Sequence, residues 1–145
     1  MRIRELGHVV LKVRERERSE RFYTEVLGLP VVARMDSPPA TFFSLGHHHD
    51  FAIVVTAPDA PDADSTSPGL AHVAFKIGES LDELRAAKAH FEALGVPITW
   101  IADHTVSQSL YVDDPDGNAI ELYVDTSDVW RTDPQTVAND APLTL

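Results

Sequence analysis

The sequence predicts an α+β fold: two βαβββ modules pair into a curved, mixed but mostly antiparallel sheet, with helices on its outer face. Three observations lead there. The stretch Gly7-His8-Val9-Val10-Leu11-Lys12-Val13 returns as Ala71-His72-Val73-Ala74-Phe75-Lys76-Ile77. A helical pattern follows each copy and ends in Gly28-Leu29-Pro30 or Gly95-Val96-Pro97. Three short apolar runs then follow each helix. The copies are offset by 64 residues at the histidines (72 − 8) and by 67 at the glycines (95 − 28), so the second helical region is three residues longer.

The first strand of each module shows the apolar alternation of a half-buried strand. The first helix spans about 15–27, with Phe22, Tyr23, Val26 and Leu27 on one side and Gly28 as its stop. Strands are expected at about 31–34, 41–45 and 51–56. In the second module Ser80 and Glu83 have capping-box spacing, and Leu81, Leu84, Phe91 and Leu94 share one helix face before Gly95. Strands follow at about 98–102, 109–112 and 119–124, with a turn at Pro115-Asp116-Gly117-Asn118 between the last two. The chain thus divides into module one (1–57), a linker rich in Pro, Asp, Ser and Thr (58–69), module two (70–125) and a polar tail (126–145), all within one domain, 1–145. The tail is expected to pack loosely or to cover a partner subunit.

A chain of 145 residues is long enough to bury a core without covalent staples. It has no cysteine, which excludes disulfides, thiolate metal sites, iron–sulfur clusters and cysteine nucleophiles. Twelve Lys and Arg against 23 Asp and Glu give a net charge of −11, which repels phosphate backbones and anionic membranes, so nucleic acid is not an expected partner. No apolar run reaches the about 20 residues of a membrane span. The N-terminus lacks a signal-peptide apolar stretch, and a cytoplasmic location is expected.

Strand parity brings the polar residues together. Side chains alternate between faces, so Val9, Leu11 and Val13 oppose His8, Val10 and Lys12, while Val73, Phe75 and Ile77 oppose His72, Ala74 and Lys76. In the last strand Ile120, Leu122 and Val124 oppose Glu121, Tyr123 and Asp125. His8, His72 and Glu121 therefore fall on faces that do not pack on helices. A lone histidine at a strand start is more often a surface residue than a ligand. Here two recur at equivalent positions, and two imidazoles with one carboxylate form the facial triad suited to non-haem Fe(II).

The motifs Gly7-His8-Val9-Val10-Leu11, Phe22-Tyr23 with Leu27-Gly28-Leu29, Leu70-Ala71-His72-Val73-Ala74-Phe75 and Tyr111 to Leu122 resemble the vicinal oxygen chelate superfamily over about residues 3–125. That superfamily includes glyoxalase I, bleomycin-resistance proteins and extradiol dioxygenases, and the resemblance is nearest to the extradiol (catechol 2,3-) branch. It implies a metal held by His8, His72 and Glu121 on the concave sheet. Glyoxalase I-type sites take a carboxylate from each module. Sliding Glu121 back by 67 residues lands on Val54, which cannot ligate, and the three remaining ligands favour the dioxygenase branch.

By the same resemblance His49 lies near the O₂ position, whereas strand parity selects His48. His104 and Tyr111 resemble groups that hold a catecholate. The function implied is a metal-dependent, extradiol-type ring-cleaving dioxygenase acting on a catechol-like small aromatic with O₂. Fe(II) is the expected cofactor, with Mn(II) or Zn(II) as alternatives, and a homodimer is the expected assembly. A glyoxalase-like lyase or isomerase and a non-enzymatic, drug-sequestering binding protein remain the competing readings. The stretch His47-His48-His49 is alternatively no more than a polar turn between strands, and His90 is assigned to solvent.

Overall fold

A computed structural model describes residues 1–62, 64 and 66–145. The chain forms two compact units, residues 1–64 with 114–118 and residues 65–113 with 119–145. The boundary falls inside the expected linker. The 114–118 turn, assigned by sequence to module two, clusters with the first unit instead.

In the first unit β1 (Val9–Val13) leads into a helix α1 (Arg16–Arg21), followed by β2 (Val31–Asp36), β3 (Pro39–Phe43) and β4 (Phe51–Val55). The sheet order is β1-β4-β3-β2, with β1 parallel to β4 and the other pairs antiparallel. The helix widens over Phe22–Val26 into a π-turn, in which Leu27 N–H donates to the Phe22 carbonyl at 3.1 Å. This i→i+5 step reorients the chain, and Tyr23 at its start is fully buried. Gly28 takes φ 74° and Leu29 N–H returns to the Tyr23 carbonyl at 2.8 Å, so the expected glycine stop holds. Tyr23 packs against Phe22, Phe43 and Phe51.

Two buried carboxylates seat the 114–118 turn. Asp114 Oδ2 accepts from Tyr23 Oη at 2.7 Å and from Asn118 Nδ2 at 2.9 Å, while its Oδ1 accepts the N–H groups of Asp116 and Asn118. Asp116 accepts from Arg14, Arg18 and Ser19. Burial pushes the Asp116 carboxyl up, but the Arg14 N–H and the Arg18 and Arg14 guanidiniums outweigh it and hold the group below the usual range.

The second unit repeats the plan with β5 (Val73–Gly78), α2 (Leu81–Leu94), β6 (Ile98–Asp103), β7 (Ser107–Asp113) and β8 (Ala119–Asp125). Its sheet order is β5-β8-β7-β6, with β5 parallel to β8, and a further short strand β9 (Ala141–Pro142) beside β6. Ser80 caps α2 by accepting Glu83 N–H at 3.4 Å, and the Glu83 carboxylate takes Glu79 N–H at 2.9 Å and the Ser80 hydroxyl at 2.7 Å. Gly95 closes the helix at φ 67°. Leu84 and Phe91 are buried on the sheet, Leu81 is half-buried, and Leu94, placed on the same face by its spacing, is exposed. Fourteen helical residues here against six plus five in the first unit reproduce the three-residue difference in the repeat.

The tail departs from its expected loose packing. Two 3₁₀ turns (Val129–Arg131 and Pro134–Ala138) carry it to β9 (Ala141–Pro142), which pairs antiparallel with β6. Leu143 N–H adds a hydrogen bond to the Ile101 carbonyl at 3.2 Å. Among the described residues, no helix is long and apolar enough to cross a membrane.

Candidate metal and substrate site

In the second unit one face of the sheet packs Ile120, Leu122, Val124, Leu110 and Val112 into the core, as alternation requires. The other face carries the polar set. Register places Ala74 beside Glu121, Glu121 beside Tyr111, Tyr111 beside Trp100, and Ser109 beside Tyr123. His72 immediately precedes β5.

These side chains make one connected group. Glu121 is buried, and its two oxygens are differentiated: Oε1 accepts from Ser109 Oγ at 2.5 Å, while Oε2 lies 3.1 Å from His72 Nε2. Donor atoms at about 3.0–3.4 Å are what two neighbouring ligands present to one ion when each bond is about 2.1 Å long. The pair therefore fits a divalent metal, and His72 is exposed.

Ser109, which holds the Glu121 carboxylate, is a site residue that sequence reasoning did not single out. It is fully buried between apolar neighbours, two positions before Tyr111 and so on the same face. A serine at that parity, diagonal to the carboxylate across the strand pair, was the available signal.

His104 sits in the short turn between β6 and β7, where Thr105 adopts φ 71° and its N–H is held by the Asp103 carboxylate at 2.7 Å. The imidazole Nδ1 lies 3.0 Å from the Asn139 carbonyl, which only accepts, so Nδ1 carries a proton. Nε2 then faces Tyr111 Oη at 3.1 Å. The tail, through Asn139, thus sets the tautomer of the histidine beside Tyr111. Burial and the nearby Glu121 carboxylate raise the Tyr111 phenol well above its ordinary value, so it stays protonated. Trp100 stacks on Tyr111 at 5.5 Å between centroids with 28° between planes and is itself exposed, and His72 meets Tyr111 edge-on.

In the first unit β1 and β4 run parallel with Val9 beside Phe51, so the residues preceding the two strands are neighbours. This brings His8 to the 44–50 loop. His8 and His49 have ring centroids 4.1 Å apart, and His48 lies 4.5 Å from His49 and 6.3 Å from His8. Both residues left open by the sequence therefore stand beside His8. Burial, then the His8 and His48 rings, lower the pKa of His49. His47 is turned away and bonds Asp50 at 2.5 Å.

The register also revises one inference. Ala74 lies beside Glu121, and the equivalent Val10 lies beside Ala52, so the first-module counterpart of Glu121 is Ala52 rather than Val54. The constant offset misses two residues of length difference between the β2–β4 region and its copy. Ala52 cannot ligate either, so the first module still offers no carboxylate at that position.

The glyoxalase/bleomycin resistance protein/dioxygenase superfamily model matches residues 5–122. The chain belongs to that superfamily. Among its members the chain is 32% identical over 133 residues to the catechol-2,3-dioxygenase of Bacillus subtilis, covering 88% of this chain but 44% of that protein. It is 28% identical over 126 residues to the glutathione transferase FosA of Serratia marcescens, covering 84% of this chain and 82% of that protein. A superfamily domain from Frankia sp. EAN1pec superposes with a TM-score of 0.71 at 25% identity, covering 86% of this chain and 99% of that one. The chain thus spans less than half the length of the Bacillus dioxygenase, and it shares the fold of the Frankia domain over 86% of its length.

Proposed function

We propose that this superfamily member is a metal-dependent, extradiol-type ring-cleaving dioxygenase for a catechol-like small aromatic. The observation that carries the reading is the Glu121–His72 donor pair, set beside a protonated Tyr111 that is coupled to His104. His8 joins the pair as third ligand by the internal repeat. The absence of a carboxylate at Ala52 supports three ligands over the four of a glyoxalase I-type site. The similarity to the Bacillus catechol-2,3-dioxygenase points the same way.

When bound, a divalent iron supplies Lewis-acid polarisation of two vicinal oxygens and a redox centre for O₂. Mn(II) and Zn(II) are the alternative ions for the same donors. The chain's own residues do the rest. Tyr111 offers its hydroxyl to a substrate oxygen. A catechol O–H can pass its proton to Tyr111 Oη as Tyr111 releases its own to His104 Nε2, while Nδ1–H stays on the Asn139 carbonyl. The substrate ends as the anion and His104 as the cation. Trp100 offers an aromatic face next to Tyr111. His49, or His48 beside it, would hydrogen-bond the oxidant and move a proton there. A cytoplasmic homodimer is the setting carried over with this reading.

The test is anaerobic reconstitution with Fe(II), followed by O₂ uptake and ring-fission absorbance over a panel of catechols. The expected result is stoichiometric O₂ consumption that His72→Ala and Glu121→Ala abolish. Turnover of a methylglyoxal-derived thiohemiacetal without O₂ uptake would select the lyase reading. Ligand binding with neither reaction would select the sequestering one.

A further inference from the structure

The three histidines of the first unit form a constellation with chemistry of their own. One donor nitrogen from each of His8, His48 and His49 lies within 4.8 Å of the other two. Three points at that maximum spacing leave their centre about 2.8 Å from each. A movement of about 0.7 Å per ring therefore reaches the bond length of about 2.0–2.1 Å that zinc makes to imidazole. Two of the rings are free to make it, because His8 and His48 are exposed. The third is seated: His49 is half-buried with its ring edge-on to Phe42 at 5.3 Å.

The backbone under the cluster is fixed. Val9 N–H donates to the Asp50 carbonyl at 3.2 Å, and Asp50 N–H donates to the Phe43 carbonyl at 3.0 Å. The Asp50 carboxylate then gathers Leu45 N–H and His47, which holds the loop's return. This preorganisation lowers the entropy lost when the rings converge.

We infer that His8, His48 and His49 form an all-imidazole site for a borderline divalent transition metal such as Zn(II), distinct in donor set from the His8, His72 and Glu121 triad. Three neutral nitrogens without a carboxylate favour Zn(II), Ni(II) or Cu(II) over Mn(II) or Mg(II). A fourth position stays open to water. Because His8 is common to both donor sets, one imidazole nitrogen cannot serve two ions. On the reading proposed above, filling this site with zinc withdraws His8 from the catalytic metal.

The test uses the full chain carrying His72→Ala and Glu121→Ala, so that the triad is removed and only the imidazole cluster remains. Metal-free protein is titrated with Zn(II) against a chromophoric chelator at pH 7.5. The expected result is one equivalent bound, with affinity falling at least tenfold when His48→Ala is added and again when His49→Ala is added. His90→Ala, on α2 of the other unit, controls for histidine content and is expected to leave the titration unchanged. Melting curves of each metal-free variant confirm that it is folded. No bound equivalent in the triad-less protein overturns the inference, as does binding that survives loss of both His48 and His49. Neither outcome depends on whether the wild-type protein consumes O₂.

Discussion

Replacing Ser109 by alanine removes one of the hydrogen bonds that orient Glu121, beside the one from Tyr111. The serine hydroxyl donates to Oε1 at 2.5 Å from a fully buried strand position, and it leaves Oε2 as the oxygen that faces His72. His104 Nε2, at 4.0 Å from Oε1, is too far to replace it. Without the hydroxyl, the carboxylate loses a charge-assisted bond and gains freedom to rotate Oε2 away from His72.

Loss of a partner that orients a metal ligand typically lowers metal affinity about 10–100-fold, which is about 1.4–2.8 kcal/mol. A hydrogen bond to a charged group contributes about 1.5–3 kcal/mol to folding. At about 2–4 °C per kcal/mol for a chain near this size, the metal-free variant should melt about 3–12 °C below the wild type. Chelator competition gives the affinity, and calorimetry of the metal-free protein gives the Tm. An unchanged metal affinity in a folded Ser109→Ala protein would show that Glu121 is not held for a metal by this serine, and the orientation argument would fall.

Other perturbations have equally definite outcomes. Tyr111→Phe keeps the ring against Trp100 but removes the proton path to His104, so kcat should fall about 100-fold or more with KM changing much less; equal changes in both would mark Tyr111 as a binding group only. Tyr23→Phe deletes the Asp114 contact while preserving the aromatic packing, and urea unfolding should show a loss of about 1.5–3 kcal/mol. The Asp50 carboxyl is held down to about 2 by Leu45 N–H and His47, while His47 is raised by Asp50. The Asp50 contribution is therefore complete above about pH 4 and lost as pH falls through about 2, and the His47 contribution is complete below about pH 6.5 and lost as pH rises past its elevated value. Amide-exchange protection factors in the 44–50 loop, corrected for the intrinsic pH dependence of exchange, should be highest between those limits, and Asp50→Asn should flatten the profile.

Much of this architecture was legible before any coordinates. The His8 and His72 repeat placed two like strands, the Ser80 and Gly95 pair bounded α2 as its caps dictate, and Gly28 marked the end of the first helical segment. Each of those signals is local: a period, a cap or a positive-φ stop. Parity put Glu121 on the face away from the helices, while Tyr111 was named by resemblance, and the strand register set the two side by side. Parity was not enough to find Ser109, because a small polar residue in an apolar strand reads like any other until its diagonal neighbour is known. The constant offset failed between Val54 and Ala52 because insertions move linear distance without moving strand register. The tail looked structureless because β9 is a short edge segment with no pattern of its own, and only the exposed rim of β6 gives it a partner.

The sequence by itself determined the duplicated βαβββ plan and the caps, and its alternation assigned faces to His8, His72 and Glu121, since these follow from backbone periodicity and from residue types that stop or start it. Only the tertiary structure decided which atoms meet. It oriented Glu121 through Ser109, fixed the His104 tautomer through Asn139 and gathered His48 and His49 around His8. Hydrogen bonds and ligand spacing depend on distances of tenths of an ångström between residues far apart in the chain, and no local rule encodes those.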